Sequence, residues 1–318
     1  ASLDKIHLYI KREDLNSAQS LYINQTLPLA MMAKNMGKKV IVGEMGDANY
    51  AFALANAAKM IGISAKIYIS ERDLEKQTDV IERLKMMGAS VYIITDYEGG
   101  FYRASNNCFS DYLIEGEDTF YCFHDAVGPH PFPTIAEKTQ EIVGIEAKEQ
   151  FQEQLGKNPD YIVAPLMVAS NALGIMGQYL GENTTLILVG PVFYNKNGEP
   201  KTFYKNSFDG YIQGCFTKVV YEPNLWPFDL TNECPGFEYP ALNPKIANMI
   251  EQKRVSVVTI DEQVAIKEMF EFGSIEGFIP SLEDAYTLAY VRKMSNLGMK
   301  GTVLMALTGT GIKDAKVC

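Results

Sequence analysis

A carboxylate at the carboxyl end of an apolar strand is well placed to carry protons, and Glu44 follows such a run, Val40-Ile41-Val42-Gly43. In a mostly apolar pocket its pKa should rise toward the neutral value that general acid–base work requires. The competing reading is a structural cap or ion pair. Other reactive side chains are dispersed. Five cysteines (Cys108, Cys122, Cys215, Cys234, Cys318) form no C-x-x-C pair, and His7, His124 and His130 lack zinc-ligand spacing. No metal site is expected, and the thiols read as reduced cytoplasmic cysteines.

These groups must be positioned by the elements around them. Apolar β-branched runs at Ile6–Ile10, Lys39–Val42, Ala65–Ile69, Val91–Ile94, Thr119–Phe123, Tyr161–Ala164, Leu186–Val189, Val255–Thr259 and Thr302–Leu307 predict strands. Between them, Asn49–Gly62, Leu74–Gly88 and Pro133–Leu155 carry helical spacing, with Gly62 and Gly88 as stops. Alternation of this kind predicts an α/β fold of parallel sheets covered on both faces, with ligands beyond the strands' carboxyl ends. From Gly190 to Pro244 the rhythm breaks into a segment rich in Pro, Gly, Asn and aromatic residues, expected to cover a cleft.

The chain has 318 residues, room for two lobes sharing such a cleft. Acidic residues outnumber basic ones 39 to 29, for a net charge of −10. That balance excludes a non-specific nucleic-acid binder or a binder of anionic membranes. No apolar run reaches membrane-spanning length, and Ala1-Ser2-Leu3-Asp4-Lys5 carries no secretory core, so a cytoplasmic protein is expected.

Six segments together carry a family signature: Lys11-Arg12-Glu13-Asp14-Leu15-Asn16; Ala33-Lys34-Asn35-Met36-Gly37-Lys38-Lys39; Val127-Gly128-Pro129-His130-Pro131-Phe132-Pro133; Ser170-Asn171-Ala172-Leu173-Gly174; Glu276-Gly277-Phe278-Ile279-Pro280-Ser281-Leu282-Glu283; and Gly309-Thr310-Gly311-Ile312-Lys313-Asp314. In this order the set closely resembles the β chain of tryptophan synthase, a fold-type-II pyridoxal-phosphate enzyme. The resemblance runs over nearly the whole chain, with the family's N-terminal arm expected to be absent before the first strand or supplied by another piece. It implies an N-terminal lobe over 22–137, with a mobile subdomain at roughly 37–115. The C-terminal lobe would be built from 1–21 plus 138–318, with the cover segment at 190–244. It implies a homodimer or a hetero-oligomer with another subunit, and a structural role for His130.

Three subsites depart from the family pattern. The position of the Schiff-base lysine holds Tyr22, in Ser20-Leu21-Tyr22-Ile23-Asn24. A phenol cannot form an imine; it either donates a hydrogen bond or plugs the vacated space. The glycine run that cradles phosphate is replaced by Leu166-Met167-Val168-Ala169 before Ser170-Asn171, a helix start that an ordinary N-cap would also explain. The loop that holds the amino-acid carboxylate reads Met45-Gly46-Asp47-Ala48-Asn49-Tyr50, placing a negative charge where an anion is held. Pro28 should loosen or kink the helix after Tyr22.

Aligned with the family, Glu44 takes the acid–base position. Glu238 takes that of a substrate-contacting aspartate, Glu276 that of a glutamate near the cofactor ring, and Thr308 that of the serine facing the ring nitrogen. The expectation is therefore a pyridoxal-phosphate-independent enzyme with no cofactor. Glu44 and Tyr22 would be catalytic; Asp47, Asn49, Tyr50, Met167, Val168, Ser170, Asn171, Glu238, Glu276 and Thr308 would bind a hydrophobic or aromatic small molecule. The reaction would be an elimination, isomerisation or cyclisation in a specialised biosynthetic pathway. The rival expectation is a non-catalytic subunit that scaffolds or activates a partner enzyme.

Overall fold

Apolar strands that cannot bury a face alone are stacked here into two mainly parallel layers. The computed structural model describes residues 3, 5–95, 100–124, 128–166, 169–194, 199–220, 234–237 and 239–317. The chain opens with β1 (Ile6–Arg12) and α1 (Ile23–Asn35), the latter running unbroken through Pro28. Then come β2 (Val40–Met45), α2 (Ala48–Ile61), β3 (Ser64–Ser70), two short helices α3 (Glu71–Glu75) and α4 (Val80–Met86), β4 (Ser90–Ile94), α5 (Gly100–Glu115) and β5 (Thr119–Tyr121). The strands pair in parallel as β4-β3-β2-β5.

The long helix α6 (Phe132–Leu155) leads to β6 (Tyr161–Pro165), α7 (Ala169–Met176) and β7 (Thr185–Pro191). A strand pair β8 (Phe193–Tyr194) and β9 (Pro200–Lys201), the short α8 (Phe203–Asn206) and an antiparallel hairpin of β10 (Ser207–Ile212) and β11 (Cys215–Val220) follow. The chain closes with α9 (Pro244–Glu251), β12 (Val255–Ile260), α10 (Glu262–Glu276), α11 (Leu282–Asn296) and β13 (Gly301–Leu307). The second sheet has the order β1-β13-β6-β7-β12, parallel throughout.

Local chemistry sets the ends of the helices nearest the sheets' carboxyl edges. Asp47 caps α2 by accepting from Asn49 N at 2.8 Å, and Gly62 ends it in the left-handed region at φ 74°. Ser281 caps α11 by accepting from Asp284 N at 3.2 Å. Both N-termini therefore open beside the strand ends, where anionic or polar groups are best received.

Helices α6 and α7 cross closely because glycine faces glycine. A Cβ at Gly174 would lie 2.6 Å from the Gln140 carbonyl, and one at Gly144 would strike the Gly174 carbonyl. Gly144→Ala should destabilise the fold by about 1–3 kcal/mol through overpacking. Gly177→Ala, where a Cβ meets nothing within 4 Å, should be nearly neutral. Urea unfolding of the two variants tests this, and equal midpoints would contradict it. Among the described residues no helix is long and apolar enough to cross a membrane.

Candidate functional site

Pleating divides β2 between two environments. Ile41 and Met45 face the core around α1 and α2, while Val42 and Glu44 point to the side covered by α5. Glu44 is fully buried, and its Oε1 accepts the His124 backbone N–H at 3.2 Å. Burial raises its pKa to about 7, against the lowering effect of Tyr121, the His124 N–H and Cys108. At neutral pH the carboxyl is therefore poised between its two protonation states. Tyr121 also lines a partly open cavity of about 140 Å³ with Ser105, Phe109, Phe123, Phe132 and Gln213. Gln213 closes this cavity from the β10–β11 turn, donating to Ser105 Oγ at 3.0 Å and accepting from the Tyr239 hydroxyl at 2.8 Å.

On the opposite side of β5 lies an aromatic cluster. Tyr22, at the start of α1, is 1% exposed and packs edge-on against Tyr50 at 5.5 Å between ring centroids. Tyr50 donates to the Cys122 and Phe123 carbonyls at 2.8 and 3.1 Å, so it locks α2 to β5. Phe101 covers Gly46, where a Cβ would lie 2.9 Å from its ring. The Gly46–Ala48 turn is held by Gln77, which accepts from Ala48 N at 2.6 Å and donates to the Gly46 carbonyl at 3.1 Å.

Asp47 is the meeting point of distant segments. Lys313, with no exposed surface, reaches Asp314 Oδ1 at 2.8 Å, Glu283 Oε2 at 3.1 Å and Asp47 Oδ1 at 3.7 Å. Burial raises Asp47 to about 7; Lys313 opposes that rise, while Glu283 and Asp314 add to it. Burial likewise raises Asp314, to about 6. Lys313 rises although burial alone would lower it, because three carboxylates surround it. The sequence reading of Asp47 as a bare negative charge is thus corrected by a buried ammonium 266 positions away.

The sign of the pH dependence follows. Asp47 and Asp314 hold their protons more tightly folded than unfolded, so their contribution is full below about pH 4 and is lost as pH rises through 6 to 7. Asp47→Asn keeps a capping side chain and should flatten the fall in unfolding free energy between pH 4 and 8, by roughly 2–4 kcal/mol. Urea titrations across that range check it; an unchanged slope would count against it.

The remaining candidates divide. Asn49 joins the site, its Nδ2 donating to the Thr310 carbonyl at 3.0 Å. Ser170 and Asn171 are buried in the first turn of α7. Thr308 is held internally: its N–H and hydroxyl both donate to Asp284 Oδ2, at 2.8 and 3.1 Å, and its Oγ1 lies 3.1 Å from Ser281 Oγ. Glu276 is not brought to the site; it is exposed at the end of α10, lining a groove beside β1 with Arg12 and Phe278. Met167, Val168 and Glu238 lie outside the described residues. Sequence reasoning missed Tyr121, Cys108, His124, Asp284 and Lys313. The available signal was that Lys313 stands within the last signature segment and Asp284 directly after the fifth.

Comparison with known proteins places these features in context. A family model described as pyridoxal-phosphate dependent enzyme matches residues 1–309. "Tryptophan synthase beta chain 1" of Wolinella succinogenes is 33% identical over 308 residues, 96% of this chain and 76% of that protein. "Tryptophan synthase beta chain" of Clostridium botulinum is 32% identical over 314 residues, 98% and 78% of the two chains. The Bacteroides fragilis protein of the same name is 30% identical over 310 residues, 96% and 79%.

These findings correct the expectation of a cofactor-free, repurposed elimination, isomerisation or cyclisation enzyme, and they tell against a non-catalytic scaffold. The family consists of pyridoxal-phosphate-dependent enzymes, so pyridoxal phosphate is the cofactor to which they point. Tyr22 bears on attachment alone. Covalent attachment at position 22 does not fit, because the phenol offers no amine, and Lys313 is held by carboxylates. Groups able to receive a polar ligand nevertheless persist. Among the described residues, both amide atoms of Asn171, Asn49 Oδ1 and Asp284 Oδ1 are buried with no hydrogen-bond partner. With the family model covering residues 1–309 and relatives of 30–33% identity over nearly its whole length, this chain belongs to the pyridoxal-phosphate-dependent enzymes.

Proposed function

We propose that this chain is a tryptophan synthase β-like enzyme of the lyase type in which Glu44 moves protons at an aromatic substrate. The observation that carries the reading is a fully buried carboxyl with a pKa of about 7, whose neighbour Tyr121 lines an aromatic cavity of about 140 Å³. A general acid–base group works best with its pKa near the operating pH, and an apolar cavity suits a flat ring.

Phe109, Phe123 and Phe132 would form the aromatic wall of that cavity, Tyr22 and Tyr50 the packing on the other side of β5, and Asp47 and Asn49 a polar end at the start of α2. Ser170 and Asn171, in the first turn of α7, are the groups that would hold the cofactor's anionic end without a covalent link at position 22. When bound, pyridoxal phosphate supplies an electron sink for carbanions at an amino acid. Thr308, fixed by Asp284 and Ser281, would present a hydroxyl held in one orientation. The lobe boundaries expected from the sequence, an assembly with a second copy or another subunit, and a cytoplasmic location belong to the same proposal. The relatives' designation as "beta chain" supports a multi-subunit assembly.

The test is an incubation of the purified protein with pyridoxal phosphate, indole and L-serine, followed by chromatography for tryptophan. Tryptophan formation is the expected outcome. Saturating cofactor binding without any tryptophan would overturn the assignment.

A further inference from the structure

Glu44 does not line the cavity of about 140 Å³ beside β5, so its fully buried carboxyl needs a path to whatever occupies that space. Tyr121 stands between the two. It ends β5 and pairs in register with Val42 of β2, so pleating puts its ring on the α5 side of the sheet with Val42 and Glu44. The ring is fixed by Phe109 at 5.5 Å between centroids, by Tyr112 stacked at 5.7 Å and by Phe123 edge-on at 5.4 Å. Among the described residues, Tyr121 is the group that both lines the cavity and acts on the Glu44 carboxyl. Cys108 and the His124 N–H also act on the carboxyl, but neither residue lines the cavity.

Neither the Tyr121 hydroxyl nor Glu44 Oε2 has a hydrogen-bond partner among the described residues, although both are buried. The two groups are near enough to act on each other. Tyr121 lowers the pKa of Glu44, while burial and the charge of Glu44 raise that of Tyr121. The phenol therefore keeps its proton near neutrality and cannot itself be the base. On the cavity side, Ser105 Oγ accepts from Gln213 Nε2 at 3.0 Å, which leaves the serine hydrogen to turn toward the Tyr121 oxygen. An unpaired buried polar atom in a native protein calls for a role, and two side by side call for a shared one.

We infer that Tyr121 is the proton relay between Glu44 and the cavity. As a proton donor in the cavity gives its proton to the Tyr121 oxygen and keeps the electron pair, the phenol's own hydrogen passes to the Glu44 carboxylate at Oε2. The phenol ends as it began, the carboxyl is neutral, and the reverse sequence returns the proton. This rests on the reading of Glu44 as the proton carrier and supplies the path that burial otherwise denies it. Ser105 acts through Tyr121 as a positioning residue, itself held by Gln213.

Tyr121→Phe removes the hydroxyl and keeps the ring. Tyr112→Phe, in the same aromatic cluster but outside the lining of that cavity, is its control. In ¹³C spectra of the full chain at pH 7, the Glu44 carboxyl should give one averaged line in the wild type and in Tyr112→Phe. Tyr121→Phe should instead give separate lines for the two protonation states, because exchange has slowed. Its kcat should fall roughly 10²-fold with KM little changed. A proton inventory in mixed H₂O and D₂O, curved in the wild type because two protons move together, should become linear. An averaged line with full turnover in Tyr121→Phe, beside an inactive Glu44→Gln, would overturn the relay and leave the role of Glu44 standing. Equal losses in the two tyrosine variants would mark a packing effect and overturn the relay as well. Full turnover in Glu44→Gln would overturn the reading of Glu44 and this inference with it.

Discussion

Glu44→Gln is expected to lower kcat/KM for tryptophan formation by about 10²- to 10⁴-fold while the protein remains folded. The amide keeps the shape of the carboxyl and can still accept the His124 backbone N–H, but it can neither take nor release a proton. Stability should move the other way. The folded pKa of about 7 exceeds the ordinary 4.5, so the carboxyl favours the folded state below pH 4.5, and that contribution is lost as pH rises through 7. Above neutrality the variant should equal or exceed the wild type in unfolding free energy. A variant with full turnover would remove Glu44 from the chemistry. A variant inactive because it is unfolded would be told apart from the expected folded one by its circular dichroism spectrum.

Lys313→Met is expected to cost about 3–5 kcal/mol, because it leaves buried carboxylates without their cation. Three of them approach the ammonium within 3.7 Å, and none of the four side chains is more than 4% exposed. The segment is also tied by its backbone, since the Lys313 carbonyl accepts from Thr78 N at 3.1 Å. The penalty is electrostatic, so removing one carboxylate should relieve it. The double variant Lys313→Met with Asp47→Asn should recover at least about 1 kcal/mol of the loss, a coupling of the size found between directly contacting groups. Urea midpoints of the wild type, the two single variants and the double variant measure that coupling. Strict additivity would mean that Asp47 and Lys313 do not interact.

Much of the scaffold was legible because period-2 and helical patterns are local properties. All nine expected strands form, with ends within three residues of the reading. The single helix expected over Leu74–Gly88 is instead two, and the reason is tertiary. Gln77 turns its side chain to the Gly46–Ala48 backbone, Thr78 bonds to Lys313, and Asp79 adopts φ 52° before α4 begins. The β10–β11 hairpin escaped notice within a stretch dominated by proline and aromatic residues.

The site was legible only where it follows from strand direction. Glu44, Asp47, Asn49 and Tyr50 lie at or just beyond the carboxyl end of β2, and the fold gathers them as strand order dictates. Glu276 was misplaced because alignment with a family position does not fix which way a helix end faces. The Asp47–Lys313 contact and the Asp284 hold on Thr308 join elements remote in sequence, and no periodicity encodes them. His124 was visible only as a failed zinc ligand; its backbone N–H to Glu44 and the three rings packed around it join elements remote in sequence. Tyr22 removes the attachment amine but not the groups able to receive a polar ligand, so it does not imply the absence of a cofactor.

The role proposed for Glu44 is to handle protons near neutrality inside an aromatic site. Its most direct test is a ¹³C NMR titration of glutamate side-chain carboxyls, with Glu44→Gln used to assign the resonance. A midpoint near pH 7 is predicted. A midpoint near the ordinary 4.5 would show a solvated or ion-paired carboxylate and rule out Glu44 as the proton carrier.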